Sequence, residues 1–387
     1  MELKQRMRNF ALNNYRSILL EIFLNRGIRR FEISDRLKMA PASVTKYCSI
    51  LVKKQIIIED SEAKGRNVSL SVNPRWKRML GVDIGGFQTR VGMLSANGGF
   101  SLIDEFSTPD YPAELKKLLS RYAVSMDGVG IGVTGVIHED GNTLVIFPNK
   151  RKWDGFSFAE LGIPGIFVST SGRTAAVFEK HLGALKNYSS ALHINIGYGI
   201  QCGLYINGEL LKGDTNAAGE FGHVFASSSA GVCTCGNIGC LENIVTIPMI
   251  IEHLTTVLSA PDASGYLADL YRSYPEAFSS DIKNTVLHAL SQKDPAILQE
   301  LHNLTEAIAL ALTGIVNVIN PSAISFGGFL PVLFSNIDSI VYESIKQKVL
   351  HSNSKKLVIM NSENPIYGAC AGAALLPMLD AIKSNNE

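Results

Sequence analysis

His223, Cys233, Cys235 and Cys240 lie in one short stretch that also holds Gly231, Gly236 and Gly239. Three thiols and one imidazole make the ligand set of a closed structural zinc site. Zinc favours four nitrogen and sulfur ligands in a tetrahedron, and a Cys3His set leaves no position for a catalytic water. The glycines let the backbone turn tightly enough to bring closely spaced thiolates onto one ion. The competing readings are a disulfide or unrelated thiols. A Cys-x-Cys pair is poorly placed to bond to itself, and nothing marks the chain as secreted, so zinc is the expected cofactor. Cys48, Cys202 and Cys370 read as small buried apolar residues.

The elements that must position these groups begin with a charge asymmetry. Residues 1–80 hold 17 Lys or Arg against 7 Asp or Glu, and the rest of the chain holds 19 against 28. A basic module on an acidic body is the footprint of a nucleic-acid partner, where an ordinary solvated surface is the plainer alternative. At 387 residues, 46% of them hydrophobic, the chain has room for two or three domains. The charged start, MELKQRMRNF, lacks a signal-peptide apolar core, and no apolar run is expected to reach the length needed to span a bilayer; a cytoplasmic protein is expected.

Within the basic module the pattern is specific. Ile18, Leu19, Ile22 and Phe23 form one helical stripe, ended by Gly27. Ile33 and Leu37 share a face of a short second helix. Pro41 suits the first turn of a third, which turns Val44, Cys48 and Leu51 inward and Ser43, Thr45, Lys46 and Ser49 outward. Two short helices joined tightly predict a helix-turn-helix whose second helix enters the major groove. Residues 55–59 and 67–72 read as strands around a polar turn, a wing with Lys64 and Arg66 at its tip for phosphates or the minor groove. Double-stranded DNA is the expected partner. Ser43, Thr45, Lys46, Lys64 and Arg66 are assigned to the interface by position.

From Leu80 the character changes. GVDIGG (81–86) reads as a strand into a tight glycine turn, with Asp83 placed to hold a hydrated magnesium ion and Gly85 and Gly86 exposing amides to phosphate; alone the motif is weak. GVGIGVTGVI (128–137) is a buried strand. Residues 191–213 give strand, glycine loop with Gly197 and Gly199, strand, and a turn at Asn207-Gly208. An apolar helix near 301–318 leads to NPSAISFGG with Gly327 and Gly328. Strands alternating with helices, twice over, predict two α/β lobes around a cleft.

Together GVDIGG, the loop at Pro148-Asn149, GEFGH (219–223), CTCGNIGCLE (233–242) and NPSAISFGG (320–328) resemble the ROK family (repressor, open reading frame, kinase), in its transcriptional-repressor branch, similar to xylose repressors. The resemblance implies an α/β actin-like (sugar kinase, RNase H-like) two-lobed domain preceded by an N-terminal winged helix-turn-helix. The expected limits are 1–75 for the DNA-binding domain, 80–190 with a returning C-terminal helix at 366–383 for the first lobe, and 191–365 for the second with its zinc loop. It places sugar contacts on Asn149, Glu220, His223 and Glu242. A carboxylate can accept from two vicinal hydroxyls, and a zinc-bound imidazole keeps one ring nitrogen for the sugar. Without the zinc loop beside them, Glu220 reads as a loop cap and Glu242 as a charge favoured at a helix N-terminus.

The chain departs from the family's kinases. Counting back from Glu179, Thr170 and Ser171 stand where an Asn and the general-base Asp are expected, and a Ser cannot accept the sugar proton at neutral pH. Thr170 and Ser171 then become effector contacts, Arg173 reads as a solvated helix residue with pairing to an effector carboxylate or phosphate as the alternative, and Asp154 is the nearest alternative acid. Phe87 and Tyr198 replace threonines, and Gln201 and Cys202 replace glycines, where backbone amides would meet phosphate. Asp83, Gly85, Gly86, Gly197, Gly199, Gly327 and Gly328 are therefore a vestigial nucleotide site, with ATP and magnesium not expected as cofactors. The leading expectation is a non-catalytic, sugar-responsive repressor that binds a palindromic operator as a homodimer or tetramer, with a sugar or sugar phosphate as effector. The alternatives are an active sugar kinase with an accessory DNA-binding domain, and a regulator controlled by a protein partner.

Overall fold

A computed structural model describes residues 2–60, 65–148 and 150–384. Lys64 and Asn149 lie outside the described residues, as does the side chain of Arg66. The chain divides into two compact units, Met1–Thr174 with Cys370–Glu387, and Ala175–Ala369.

The first unit opens with helix Glu2–Leu24, the two-residue strand Ile28–Arg29, helices Arg30–Leu37 and Pro41–Lys53, and strands Ile57–Glu59 and Ser69–Val72. Ile18, Leu19, Ile22, Phe23, Ile33, Val44, Cys48 and Leu51 are all buried, as their helical spacing predicts. Between the two short helices, Lys38 takes the left-handed conformation (φ 51°) and its N–H bonds back to the helix carbonyls. Pro41 then starts the next helix at a position that needs no N–H partner. The three strands form an antiparallel sheet with Ser69–Val72 in the middle, pairing Ile28 with Leu70 and Ile57 with Val72. The strand at 28–29 is too short to carry a sequence pattern.

The same unit continues into a five-stranded sheet ordered Phe167–Thr170, Gly128–Val133, Arg78–Ile84, Gln88–Ser95, Phe100–Ser107. The first three run parallel and the last three form an antiparallel meander. Side chains alternate across a strand, so Leu80, Val82 and Ile84 share one face. They pack with Leu115 and Leu119 of helix Pro112–Ala123. Gly81 and Gly130 lie against helix Gly368–Ser384. A side-chain carbon on Gly81 would fall 2.1 Å from the Cys370 carbonyl oxygen, and one on Gly130 1.9 Å from that of Ala373. Asp83 shares the face of Gly81.

The second unit repeats the plan. Strands Glu209–Leu210, Ile200–Ile206 and Ala191–Ile196 are an antiparallel meander, and Ala323–Gly328 and Val358–Asn361 add in parallel. Asn207 (φ 52°) and Gly208 (φ 86°) make the hairpin turn expected of that dipeptide. Helix Pro295–Ile319 corrects the expectation that no apolar run has membrane-spanning length: by length and composition it does. It is a core helix, and Leu304, Ile308, Leu312 and Val316 are buried within the unit.

Candidate functional sites

The loop that carries the thiols is built to converge. His223 ends the short helical turn Phe221–His223, and isolated bridges pair Val232 with Ile238 and Phe225 with Cys240. Gly239 (φ 88°) admits no side chain: a Cβ there would lie 2.6 Å from the Phe225 ring and 2.7 Å from the Ser227 carbonyl oxygen. Asn243 donates to the carbonyls of Ala230 and Val232, each at 3.1 Å, tying the loop to the helix that follows. One ligand atom from each of His223, Cys233, Cys235 and Cys240 lies within 4.8 Å of the others. The Sγ atoms of Cys235 and Cys240 are 3.7 Å apart, and Cys233 Sγ is 3.7 Å from His223 Nδ1. Metal–sulfur bonds of about 2.3 Å set tetrahedral edges of about 3.8 Å, whereas a disulfide closes to about 2.05 Å. All three cysteines are free thiols. The donor set and its spacing fit a metal ion. With Nδ1 facing sulfur, the imidazole keeps Nε2 for another partner.

Two carboxylates border this loop. Glu242 opens helix Glu242–Val245, the placement that the helix dipole favours. Its Oε2 accepts the Ile200 N–H at 3.1 Å, and Oε1 makes no hydrogen bond among the described residues. Glu220 is exposed immediately before the turn that carries His223.

In the first unit the hydroxyl of Ser171, which is buried, donates to Asp83 Oδ1 at 2.6 Å. Asp83 is only 7% exposed, and its register partner Arg90 sets a guanidinium 3.9 Å from Oδ2. Arg90 also donates to Glu105 at 3.0 Å. Burial pushes the Asp83 carboxyl upward, while the Ser171 bond and then Arg90 pull it back. Arg90 was not among the residues that sequence reasoning selected; counting the hairpin register outward from the Gly85-Gly86 turn would have found it. Thr170 ends the strand beside Ser171 and is half-buried. Arg173 is 2% exposed, which corrects its reading as a solvated residue: it lies on an inward face of helix Ser171–His181. Asp154 is committed elsewhere, accepting the Phe147 N–H at 2.8 Å and pairing with Arg151.

The glycine turns carry large side chains. Phe87 and Tyr198 are each 52% exposed. Gly85 N–H bonds Gln88 O at 2.9 Å, and Gly197 N–H bonds Gly199 O at 3.0 Å, so both amides are already used by their own turns. Gly327 and Gly328 answer to packing: a Cβ at 327 would meet the His193 ring at 2.7 Å, and one at 328 the Ile196 carbonyl oxygen at 2.3 Å.

In the N-terminal module Thr45 and Lys46 are exposed and Ser43 partly so, on the outer face of Pro41–Lys53. Arg29, Phe31, Thr45 and Asn67 help line a cavity of about 680 Å³ between the two short helices and the turn Gly65–Asn67. The Arg29 guanidinium sits 4.7 Å from the centre of the Phe31 ring.

Comparison with known proteins gives these arrangements a context. The model of the ROK family matches residues 79–377. The xylose repressor of Caldicellulosiruptor bescii is 24% identical, over 80% of this chain and 81% of its own length. The glucokinase of Thermotoga maritima is 26% identical over 70% of this chain and 87% of its own. A solved ROK family transcriptional regulator, a homologue of the E. coli MLC protein, has a TM-score of 0.75 at 21% identity, with 96% of each chain covered.

Proposed function

Because the chain belongs to the ROK family, we propose that it is a sugar-responsive transcriptional regulator, most simply a repressor of carbohydrate-utilisation genes. The observation that carries this reading is the basic module ahead of the matched region: two short helices, a tight turn and a three-stranded sheet. We read that order of elements as a winged helix-turn-helix, assigned to residues 1–75. Thr45 and Lys46, with Ser43 beside them, would face base edges and phosphates in the major groove, and Lys64 and Arg66 would lie on the wing. A homodimer would match a palindromic operator, since two-fold protein symmetry mirrors two-fold DNA symmetry. Xylose repressors among the relatives, and a regulator of like fold along nearly the whole chain, support the same reading. A cytoplasmic location follows from the DNA partner.

In the body of the chain, Glu220 and Glu242 would accept hydroxyl hydrogens from the effector, and His223 Nε2 would meet a further hydroxyl. From the sequence, Asn149 and Thr170 remain candidate effector contacts; Ser171, assigned with them, is buried and donates its hydroxyl to Asp83. His223, Cys233, Cys235 and Cys240 would hold a zinc ion, which supplies a fixed orientation for the imidazole and the glutamates beside it. Effector binding alters DNA affinity only to the extent that it favours one of the protein's states over the other.

Glucokinases among the relatives keep a second reading in play, that of an active sugar kinase. Ser171 weighs against it. A serine in place of the proton acceptor, with its hydroxyl already given to Asp83, cannot take the proton of a sugar hydroxyl. Operator DNA selected from a random pool, followed by anisotropy titrations with and without sugars, tests the regulator. A coupled ATP-consumption assay over hexoses and pentoses tests the kinase. Turnover at ordinary kinase rates of about 1–100 s⁻¹ with no selectable DNA sequence would overturn the proposal.

A further inference from the structure

Strands Ala191–Ile196 and Ala323–Gly328 run parallel and end side by side, with Ile196 in register with Gly328. The outer ends of parallel strands are where α/β folds collect ligands, usually by presenting bare backbone amides to phosphate. In this chain the residues just past those ends are aromatic. Tyr198 follows the first strand and Phe329 the second, and their rings meet edge to face, with centroids 6.2 Å apart and planes at 82°. Phe329 also covers the turn from below: a Cβ on Gly197 would lie 3.7 Å from its ring. Tyr198 stands half-exposed, steadied from beneath rather than packed away.

The aromatic pair adjoins the carboxylate end of the proposed sugar site. Ile200, two residues after Tyr198, donates its N–H to Glu242. The residue between them, Gly199, lies in the bend that carries Tyr198, and a Cβ on it would lie 3.6 Å from Glu242 Oε2. A ligand whose hydroxyls reach Glu242 therefore lies beside the bend that carries the Tyr198 ring. An aromatic face repels a phosphate chain electrostatically but attracts a flat surface of C–H groups, because the ring face is the negative side of its quadrupole.

The geometry points to a second saccharide subsite: Tyr198, braced by Phe329, stacks on the second ring of an effector whose first ring is held at Glu242. The effector is then a disaccharide or longer glycoside, not a free monosaccharide. This rests on the sugar-responsive reading and adds the size of the ligand and the residue that measures it.

The test is isothermal calorimetry on the full-length, zinc-loaded protein, with glucose, xylose, their β- and α-linked disaccharides, and Mg-ATP as probes. The variants are Tyr198→Ala, Tyr198→Phe and Glu242→Gln, with circular dichroism melts to verify folding. At least one disaccharide should bind about tenfold or more tightly than its component monosaccharide. Tyr198→Ala should remove that advantage and leave monosaccharide affinity unchanged, Tyr198→Phe should keep it, and Glu242→Gln should weaken both lengths. Monosaccharides binding as well as disaccharides, or Tyr198→Ala leaving the advantage intact, would overturn the subsite while sparing the sugar reading. Absence of binding by any saccharide would sink both. Mg-ATP binding that depends on Tyr198 would make the pair a base-stacking platform and also refute the proposal.

Discussion

Replacing Ser171 with alanine should expose how the buried Asp83 is maintained. Asp83 sits in the sheet interior with one short hydrogen bond, from Ser171 at 2.6 Å, and a guanidinium 3.9 Å away. The 2.6 Å contact falls in the range of charge-assisted hydroxyl–carboxylate hydrogen bonds. Removing the donor should cost about 1.5–3 kcal/mol, the usual range for a hydrogen bond to a charged group. For a unit of this size each kcal/mol shifts the midpoint by about 2–4 °C, so Tm should fall by about 3–12 °C. The pH dependence carries the sharper signature. The folded carboxyl is raised, first by burial and against the pull of Ser171 and Arg90. A carboxyl raised on folding favours the folded state while it is protonated, and that advantage fades as pH rises through its folded value. Without Ser171 the carboxyl rises further, so the Ser171→Ala deficit should be largest at neutral pH and shrink toward acid. Asp83→Asn should abolish that dependence, and the double variant should be less unstable than the sum of the singles. Melts from pH 5 to 8 by circular dichroism would measure all of this. A deficit constant with pH, or strictly additive variants, would refute the reasoning. Ser171→Asp should be worse than Ser171→Ala, since it buries a second carboxylate against the first, and it should not confer sugar phosphorylation in a coupled ATP assay.

A chelator, or Cys235→Ser, should remove the proposed zinc, read by elemental analysis, and weaken the proposed sugar binding by about 10–100-fold, the range that loss of an orienting neighbour costs at other metal sites. Unchanged affinity would mean that the loop does not position His223 and Glu242. Lys46→Ala should weaken DNA binding across sequences and reduce the slope of log affinity against log salt by about one, if its ammonium meets a phosphate. In the second unit, the hydrogen bond that His253 Nδ1 donates to Glu300 Oε1 holds the imidazole above its ordinary value. Its stabilisation is present below about pH 6.5 and disappears as pH rises through the folded value. Glu300→Gln should therefore lower Tm more at pH 6 than at pH 8, by a small amount because the imidazole is 41% exposed.

Local chemistry made much of this protein legible without coordinates. The three thiols and His223 are close in sequence, so loop geometry alone brings them together. The first two helices and the helix Pro41–Lys53 announce themselves through apolar spacing and a proline start, and their inward residues are the buried ones. The Asn207-Gly208 turn and the two strand–glycine–strand repeats are likewise short-range signals. Boundaries were less legible: the apolar helix placed near 301–318 begins at Pro295, because its first turns expose Leu298 and bury Glu300, against the apolar-inside pattern.

What only the tertiary structure decided was set by contacts between residues far apart in the chain. The sequence offers Ser171 as an effector contact; its hydroxyl is spent on Asp83, 88 residues away, because Phe167–Thr170 and Arg78–Ile84 both pair in parallel with Gly128–Val133 and end together. Arg173 had the composition of a surface residue and is buried, since helix Ser171–His181 turns that face inward. Gly81 and Gly130 looked like ordinary strand residues until the last helix of the chain came to lie on them with no room for a side chain. Sequence specifies the residue types and their local periods. Which of those residues share a wall is decided when strands separated by helices pair, and no local pattern encodes that pairing.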